Sequence, residues 1–190
     1  MFAHRTLAVA GLGALAIVAW AVAAFAQLPT YGLGRAPTAG EIKAWDVTIP
    51  PDGRGLPPGS GTAALGKPVY TERCASCHGN KGDDGKYDRL VGGRGTLNTD
   101  KPIKTIGSYW PYATTLWSYI SRTQPFGEPG SLTPDQGYAV TAYLLYLNGV
   151  IAENDVMDAR TLPQVKMPNR DGFVPDPRPD VGKGAKARRR

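Results

Sequence analysis

The stretch Cys74-Ala-Ser-Cys-His78, "CASCH", holds both cysteines of the 190-residue chain and its only histidine beyond His4. Two thiols two residues apart, with an imidazole directly after the second, suit three chemistries: a zinc site, a redox disulfide, or a covalently held haem. A structural zinc wants four Cys or His ligands, normally as two separated pairs. The chain offers two cysteines and His78, because His4 sits at the edge of an apolar leader. A thioredoxin-like CxxC wants a βαβ surrounding, and none is legible. A plain disulfide across two residues is strained and closes almost no loop. Haem meets every constraint. Cys74 and Cys77 form thioethers to the two vinyl groups, at a spacing along a helical turn that matches the porphyrin edge, and His78 lies under the iron as proximal ligand. One such motif predicts one covalently attached haem c.

Helical patterns flank the motif. Thr62 to Arg73 reads as a helix with Leu65, Val69 and Tyr70 at inward spacing, although Pro68 conflicts with an unbroken helix and predicts a late start or a bend. From Gly79 to Ser108 the chain is polar and glycine-rich without a period, a long loop that needs something to wrap around. Pro111 to Arg122 reads as a short helix with Leu116, Tyr119 and Ile120 inward. Thr133-Pro134-Asp135-Gln136 then supplies an N-cap hydroxyl, a proline at the first helical position and a glutamine to close a capping box. Tyr138, Ala142, Leu145 and Tyr146 recur on one face, and Asn148-Gly149 stops the helix. The domain is all-α with little regular structure, and the macrocycle supplies the missing core.

The ends are of another kind. An apolar run from Leu7 to Ala24 ends in Ala24-Phe25-Ala26, which predicts a signal peptide cleaved after Ala26 and an exported, periplasmic domain with no membrane span after cleavage. An uncleaved anchor is the alternative, since such a run is long enough to span a bilayer. Residues 27–58 form a Gly/Pro-rich extended arm in which no element longer than a turn or two is expected. The domain proper is 59–150, followed by a C-terminal segment 151–181 and a basic tail 182–190 read as a disordered, solvated end. The formal charge is +6. Setting aside Arg5 in the leader and the five tail cations leaves sixteen cations against sixteen anions. The core is neutral, and no basic patch interleaved with stacking aromatics marks a nucleic-acid partner.

No second histidine remains for the sixth position of the iron, so a thioether is expected there. Two methionines follow the motif. Met157 sits in polar "ENDVMDAR", where a methionine more often makes a local packing contact. Met167 sits in "VKMPNRDG", where Pro168 forces extended chain and a loop can lay the sulfur on the iron. Met167 is favoured, with Met157 the alternative. His/Met ligation raises the reduction potential and closes the iron to substrates, which means electron transfer and no catalysis from this chain alone. Arg94 in "GGRGTL" and Trp110 or Tyr112 in "GSYWPYATTLW" are candidates to hold haem propionates. Packing for the aromatics and a solvated Arg94 are the alternatives.

Gly66 and Tyr70 before CASCH, with the aromatic-rich helix Tyr138–Asn148 after it, resemble the crossed terminal helices of class I cytochromes c. More closely, "YGLGRAPTAGEIKAWD", "PDGRGLPPGSGTAALGKPVY", "GSYWPYATTLWSYI", "PGSLTPDQGYAVTAYLLYLNG" and "LPQVKMPNRDGF" resemble the cytochrome c subunit of sulfite/sulfane dehydrogenases of bacterial sulfur oxidation (the Sox system). The resemblance covers nearly all of residues 30–180. It implies a class I cytochrome c fold, haem residues Cys74, Cys77, His78 and Met167, and a molybdenum-cofactor dehydrogenase subunit as electron donor, with a downstream cytochrome c or oxidase as acceptor. Many relatives read "MPF" where this chain has Gln124-Pro125-Phe126, the place where class I cytochromes normally put the ligand methionine. Gln124 shifts the expectation to Met167. Relatives often carry a second, N-terminal cytochrome domain that this sequence lacks, so one electron at a time is expected. Two other functions compete: a free-standing cytochrome serving another dehydrogenase or a terminal oxidase, and a gas-binding or peroxidatic haem with an open sixth site. The last needs a distal acid–base group, and none is evident.

Overall fold

The computed structural model describes residues 32–176 and Arg178. The stretches read as a cleaved leader, with its expected cleavage after Ala26, and as a basic tail lie outside them. The chain divides into two units, residues up to Trp45 and residues from Asp46, each described here by itself.

The first unit contains helix α1, Ala39–Trp45. Thr38 and Glu41 start it reciprocally. The Thr38 amide donates to Glu41 Oε2 at 2.8 Å, and the Glu41 amide donates to Thr38 Oγ1 at 3.3 Å, the geometry of a capping box. The Arg35 guanidinium grips the same carboxylate and, with Thr38, draws its pKa down to about 2. Two turns is the most that the glycine- and proline-rich arm was expected to form.

The second unit carries the helices α2 (Ala63–Arg73), α3 (Ala75–His78), α4 (Ala113–Thr123) and α5 (Pro134–Leu147). Its strands β1 (Ser60–Gly61) and β2 (Met157–Asp158) make one antiparallel pair, with Ser60 opposite Asp158 and Gly61 opposite Met157. A 3-10 turn follows at Leu162–Gln164. The class is all-α, as expected.

Thr62 caps α2 by accepting the Leu65 amide at 3.3 Å. The helix runs through Pro68 without stopping. Both Pro68 and Ala64, whose carbonyl loses its donor, lie on the exposed side, so water satisfies the orphaned carbonyl. The same fact corrects the inward face. Leu65 is 62% exposed, and the buried positions are Ala63, Gly66 and Tyr70. Gly66 is buried because α2 crosses α5 there: a Cβ on it would lie 1.9 Å from the Ala139 carbonyl oxygen and 2.9 Å from Tyr143 Cβ. One turn on, the rings of Tyr70 and Tyr143 meet at 5.3 Å.

Helix α5 has the full capping box: Thr133 Oγ1 accepts the Gln136 amide and Gln136 Oε1 accepts the Thr133 amide. Tyr138, Ala142 and Leu145 are fully buried, whereas Tyr146 at the end of the helix is 38% exposed. In α4, Leu116 and Ile120 are buried as expected, but Tyr119 is 47% exposed. Trp117 takes the inward place, its ring 5.3 Å from that of Tyr138.

Residues 46–58 belong to this second unit. Pro57 accepts the Tyr138 hydroxyl at 2.9 Å, and Ile49 and Leu56 pack on the core. Between Gly79 and Tyr112 there is neither helix nor strand. Order comes instead from side chains that bond backbone. Buried Thr105 donates to the Gly92 carbonyl, and buried Ser108 donates to that of Ile103 at 2.6 Å. Among the described residues no helix is long and apolar enough to cross a membrane.

Candidate haem site

CASCH forms the junction of α2 and α3. Cys74 closes α2 with its amide on the Tyr70 carbonyl at 2.8 Å, and its own carbonyl accepts the amides of Cys77 and His78 at 3.1 and 3.0 Å. Both thiols are free and half-buried, presented by one tight turn. Burial pushes the Cys74 thiol up to about 11. Gly79 ends the turn at φ +79°, a conformation that L-residues other than glycine rarely hold, and a Cβ there would strike Asp84 and Gly85. The buried Tyr70 hydroxyl donates to the Gly79 carbonyl at 2.9 Å, clasping the turn to α2.

His78 Nδ1 lies 3.1 Å from the Asp88 carbonyl oxygen. A carbonyl only accepts, so Nδ1 carries the proton and Nε2 keeps the lone pair for a metal. The carbonyl is itself held. Tyr87 donates its amide to the Cys77 carbonyl, and Leu90 and Val91 both donate to that of Gly82. Asn148, the C-cap of α5, fixes the next residues: its Nδ2 donates to the Leu90 carbonyl at 3.2 Å and its Oδ1 accepts the Gly92 amide at 3.2 Å.

Met157 and Met167 are both buried, 5% and 3% exposed, but in different settings. Met157 lies in β2, paired with Gly61. Met167 lies in the loop after the 3-10 turn. Its neighbours Pro168 and Asn169 line a pocket of about 210 Å³ with Arg94, Gly95, Leu97, Asn98, Gly107 and Ser108. Arg94 uses one guanidinium N–H on the Asn148 carbonyl at 2.9 Å and is otherwise exposed. Trp110 meets Tyr119 edge-on at 5.6 Å, and Tyr112 lies under the Arg170 guanidinium at 4.8 Å. Gln124 is the C-cap of α4, and Phe126 two residues on is 92% exposed. Asp88 and Asn169, and the hydrogen-bonding roles of Tyr70 and Asn148, escape a sequence reading, since each acts through backbone partners that no spacing rule identifies.

Two thiols on one turn, an imidazole whose free nitrogen is fixed by its tautomer, and a buried thioether on a separate loop fit an iron porphyrin held by thioethers. Fold and donor set define a c-type cytochrome. Residues 63–148 match the family model described as cytochrome c. The chain is 42% identical to one chain of the crystal structure of the sulfane dehydrogenase SoxCD from Paracoccus pantotrophus, over 85% of this chain and 80% of that one, with a TM-score of 0.70. It is also 30% identical over 96 residues to a thiosulfate dehydrogenase of Stutzerimonas stutzeri (strain A1501). That match takes 46% of this chain and 28% of the relative, so the chain spans just over a quarter of that relative's length. The chain belongs to the cytochrome c family, its cofactor is covalently bound haem c, and its domain transfers electrons.

Proposed function

We propose that this chain is a monohaem electron-transfer subunit or partner of a periplasmic, molybdenum-dependent sulfite or sulfane dehydrogenase, passing single electrons on to a downstream cytochrome c or oxidase. The observation that carries this reading is the 42% identity, over most of both chains, to a chain of a sulfane dehydrogenase. Export by a leader cleaved after Ala26 belongs to the same proposal.

Bound haem supplies one chemistry, the ferric–ferrous couple. The residues do the rest. Cys74 and Cys77 anchor the porphyrin through thioethers, and His78 offers Nε2 to the iron. The Asp88 carbonyl fixes the plane of that imidazole and raises its basicity. Met167 would offer its thioether as the second protein ligand. A place in a loop outside any strand favours it over Met157, whose backbone is committed to the pairing with Gly61. Arg94, beside the Met167 loop, keeps guanidinium N–H groups for a propionate, with Trp110 and Tyr112 as further donors from the segment that enters α4.

The test is copurification. The chain, tagged in its native host, is expected to bring down a molybdenum-containing subunit in about 1:1 ratio, and the complex should reduce its haem when given sulfite or a protein-bound sulfane. Isolation without molybdenum, together with haem reduction by an unrelated dehydrogenase, would overturn the reading in favour of a free-standing carrier.

A further inference from the structure

Met167 is followed by a segment whose fastenings all lie on one short stretch elsewhere. The segment folds on itself in two successive turns, with the Arg170 amide donating to the Met167 carbonyl at 3.1 Å and the Gly172 amide to that of Asn169 at 3.2 Å. Three side chains then reach across about sixty residues of sequence. Asn169 Nδ2 donates to the Tyr109 carbonyl at 2.8 Å. The Arg170 guanidinium lies 4.8 Å over the Tyr112 ring. Phe173 meets the Tyr109 ring edge-on at 5.3 Å and 66°. Lys166 and Pro168, on either side of Met167, are exposed while Met167 is buried. Its immediate neighbours therefore do not press it inward: buried Val165 anchors the chain on the N-terminal side, and the contacts to Tyr109 and Tyr112 anchor it on the C-terminal side.

We infer that Asn169, Arg170 and Phe173 are positioning residues: a strap tied to Tyr109–Tyr112 that keeps Met167 inserted and the sixth position of the iron closed. The inference rests on the proposal that Met167 is the axial ligand. A thioether is a weak ligand to ferric iron and competes poorly with added imidazole, so how long it stays depends on what holds its backbone. Tyr109–Tyr112 also leads directly into α4, which gives the strap a rigid base. Without the strap the same haem becomes a site open to small ligands, and the chain loses the property that makes it a carrier.

Imidazole titration of the ferric, haem-loaded protein reads this directly, because imidazole binds only when the thioether leaves. Asn169→Ala is expected to bind imidazole roughly fivefold more tightly than wild type, the effect of one lost hydrogen bond. The double variant Asn169→Ala/Phe173→Ala should bind it roughly thirtyfold more tightly, with the aromatic pair lost as well. Phe173→Tyr keeps the ring and should keep the wild-type value. Gly66→Ala, which strains the helix crossing and touches none of these contacts, should lower thermal stability while leaving imidazole affinity in place. Affinities within twofold of wild type in the double variant would overturn the strap. If that variant does not fold, the same result in Asn169→Ala alone would do so. Met167→Ala sets the limit of an open site. If it binds imidazole no better than wild type, the ligand assignment fails. If it binds tightly while the strap variants do not, the strap alone fails.

Discussion

On the proposed ligand assignment, the two sides of the haem site are built in opposite ways. The His78 side is local: Cys74, Cys77, His78, the Tyr70 hydroxyl on Gly79 and the Asp88 carbonyl on Nδ1 all fall within nineteen residues, tied by backbone hydrogen bonds between near neighbours. The Met167 side is assembled from remote pieces: the segment before α4, α4 itself and the loop after the last 3-10 turn. A local arrangement forms wherever the turn forms, at small cost in chain entropy. A remote one exists only when the domain has closed, because loop closure must be met first. On the reading proposed here, one side of the iron is set by a covalent motif and the other by tertiary structure. The first should survive insults that open the second.

The largest effect should come from removing the local side. A Cys74→Ser/Cys77→Ser variant is expected to give up its haem to acid acetone, whereas the wild-type polypeptide keeps its haem absorbance after the same treatment. Retention of haem by the variant would break the comparison at its stronger end. Next, Gly66→Ala adds a methyl where the helices touch and should cost about 3 kcal/mol of stability, read as a lowered midpoint of thermal unfolding. Asn148→Ala removes the side chain that joins α5 to Leu90 and Gly92, and should cost about 1 kcal/mol through the lost hydrogen bonds, since the Leu90 carbonyl keeps the Ile106 amide and the Gly92 amide is exposed to water. Its effect separates the sides more finely, because the loop it anchors also carries the Asp88 carbonyl. The smallest effect belongs to Leu65→Ala, expected within about 0.5 kcal/mol of wild type since the side chain is mostly exposed.

Those contrasts also mark what the sequence could reveal. The CxxCH spacing, the capping box at Thr133 and the glycine–tyrosine spacing of Gly66 and Tyr70 are local patterns, and each appears in the structure where it was expected. Faces of helices were less legible. Leu65 and Tyr119 have helical spacing to inward neighbours, yet both are largely outside. In α2 the close approach to α5 selects Gly66 and Ala63, leaving no depth for a leucine one position away. In α4 the larger Trp117, fitted against Tyr138, takes the inward arc that Tyr119 was expected to share. Pro68 misled in the other direction, because a missing hydrogen bond is cheap when its carbonyl faces water. Backbone-mediated roles had no signal: Asn148 reads as a helix stop, and its hydrogen bonds to the Leu90, Gly92 and Arg94 segments appear only when the chain is folded.

The central claim, an iron held by His78 from the local side and Met167 from the remote one, is tested most directly by the thioether-to-iron charge-transfer band of the ferric protein in the far red. The band is expected in wild type, survives in Met157→Ala, and vanishes in Met167→Ala as the iron turns high-spin or takes up water. Survival of the band in Met167→Ala with its loss in Met157→Ala would show that Met157, not Met167, is the ligand.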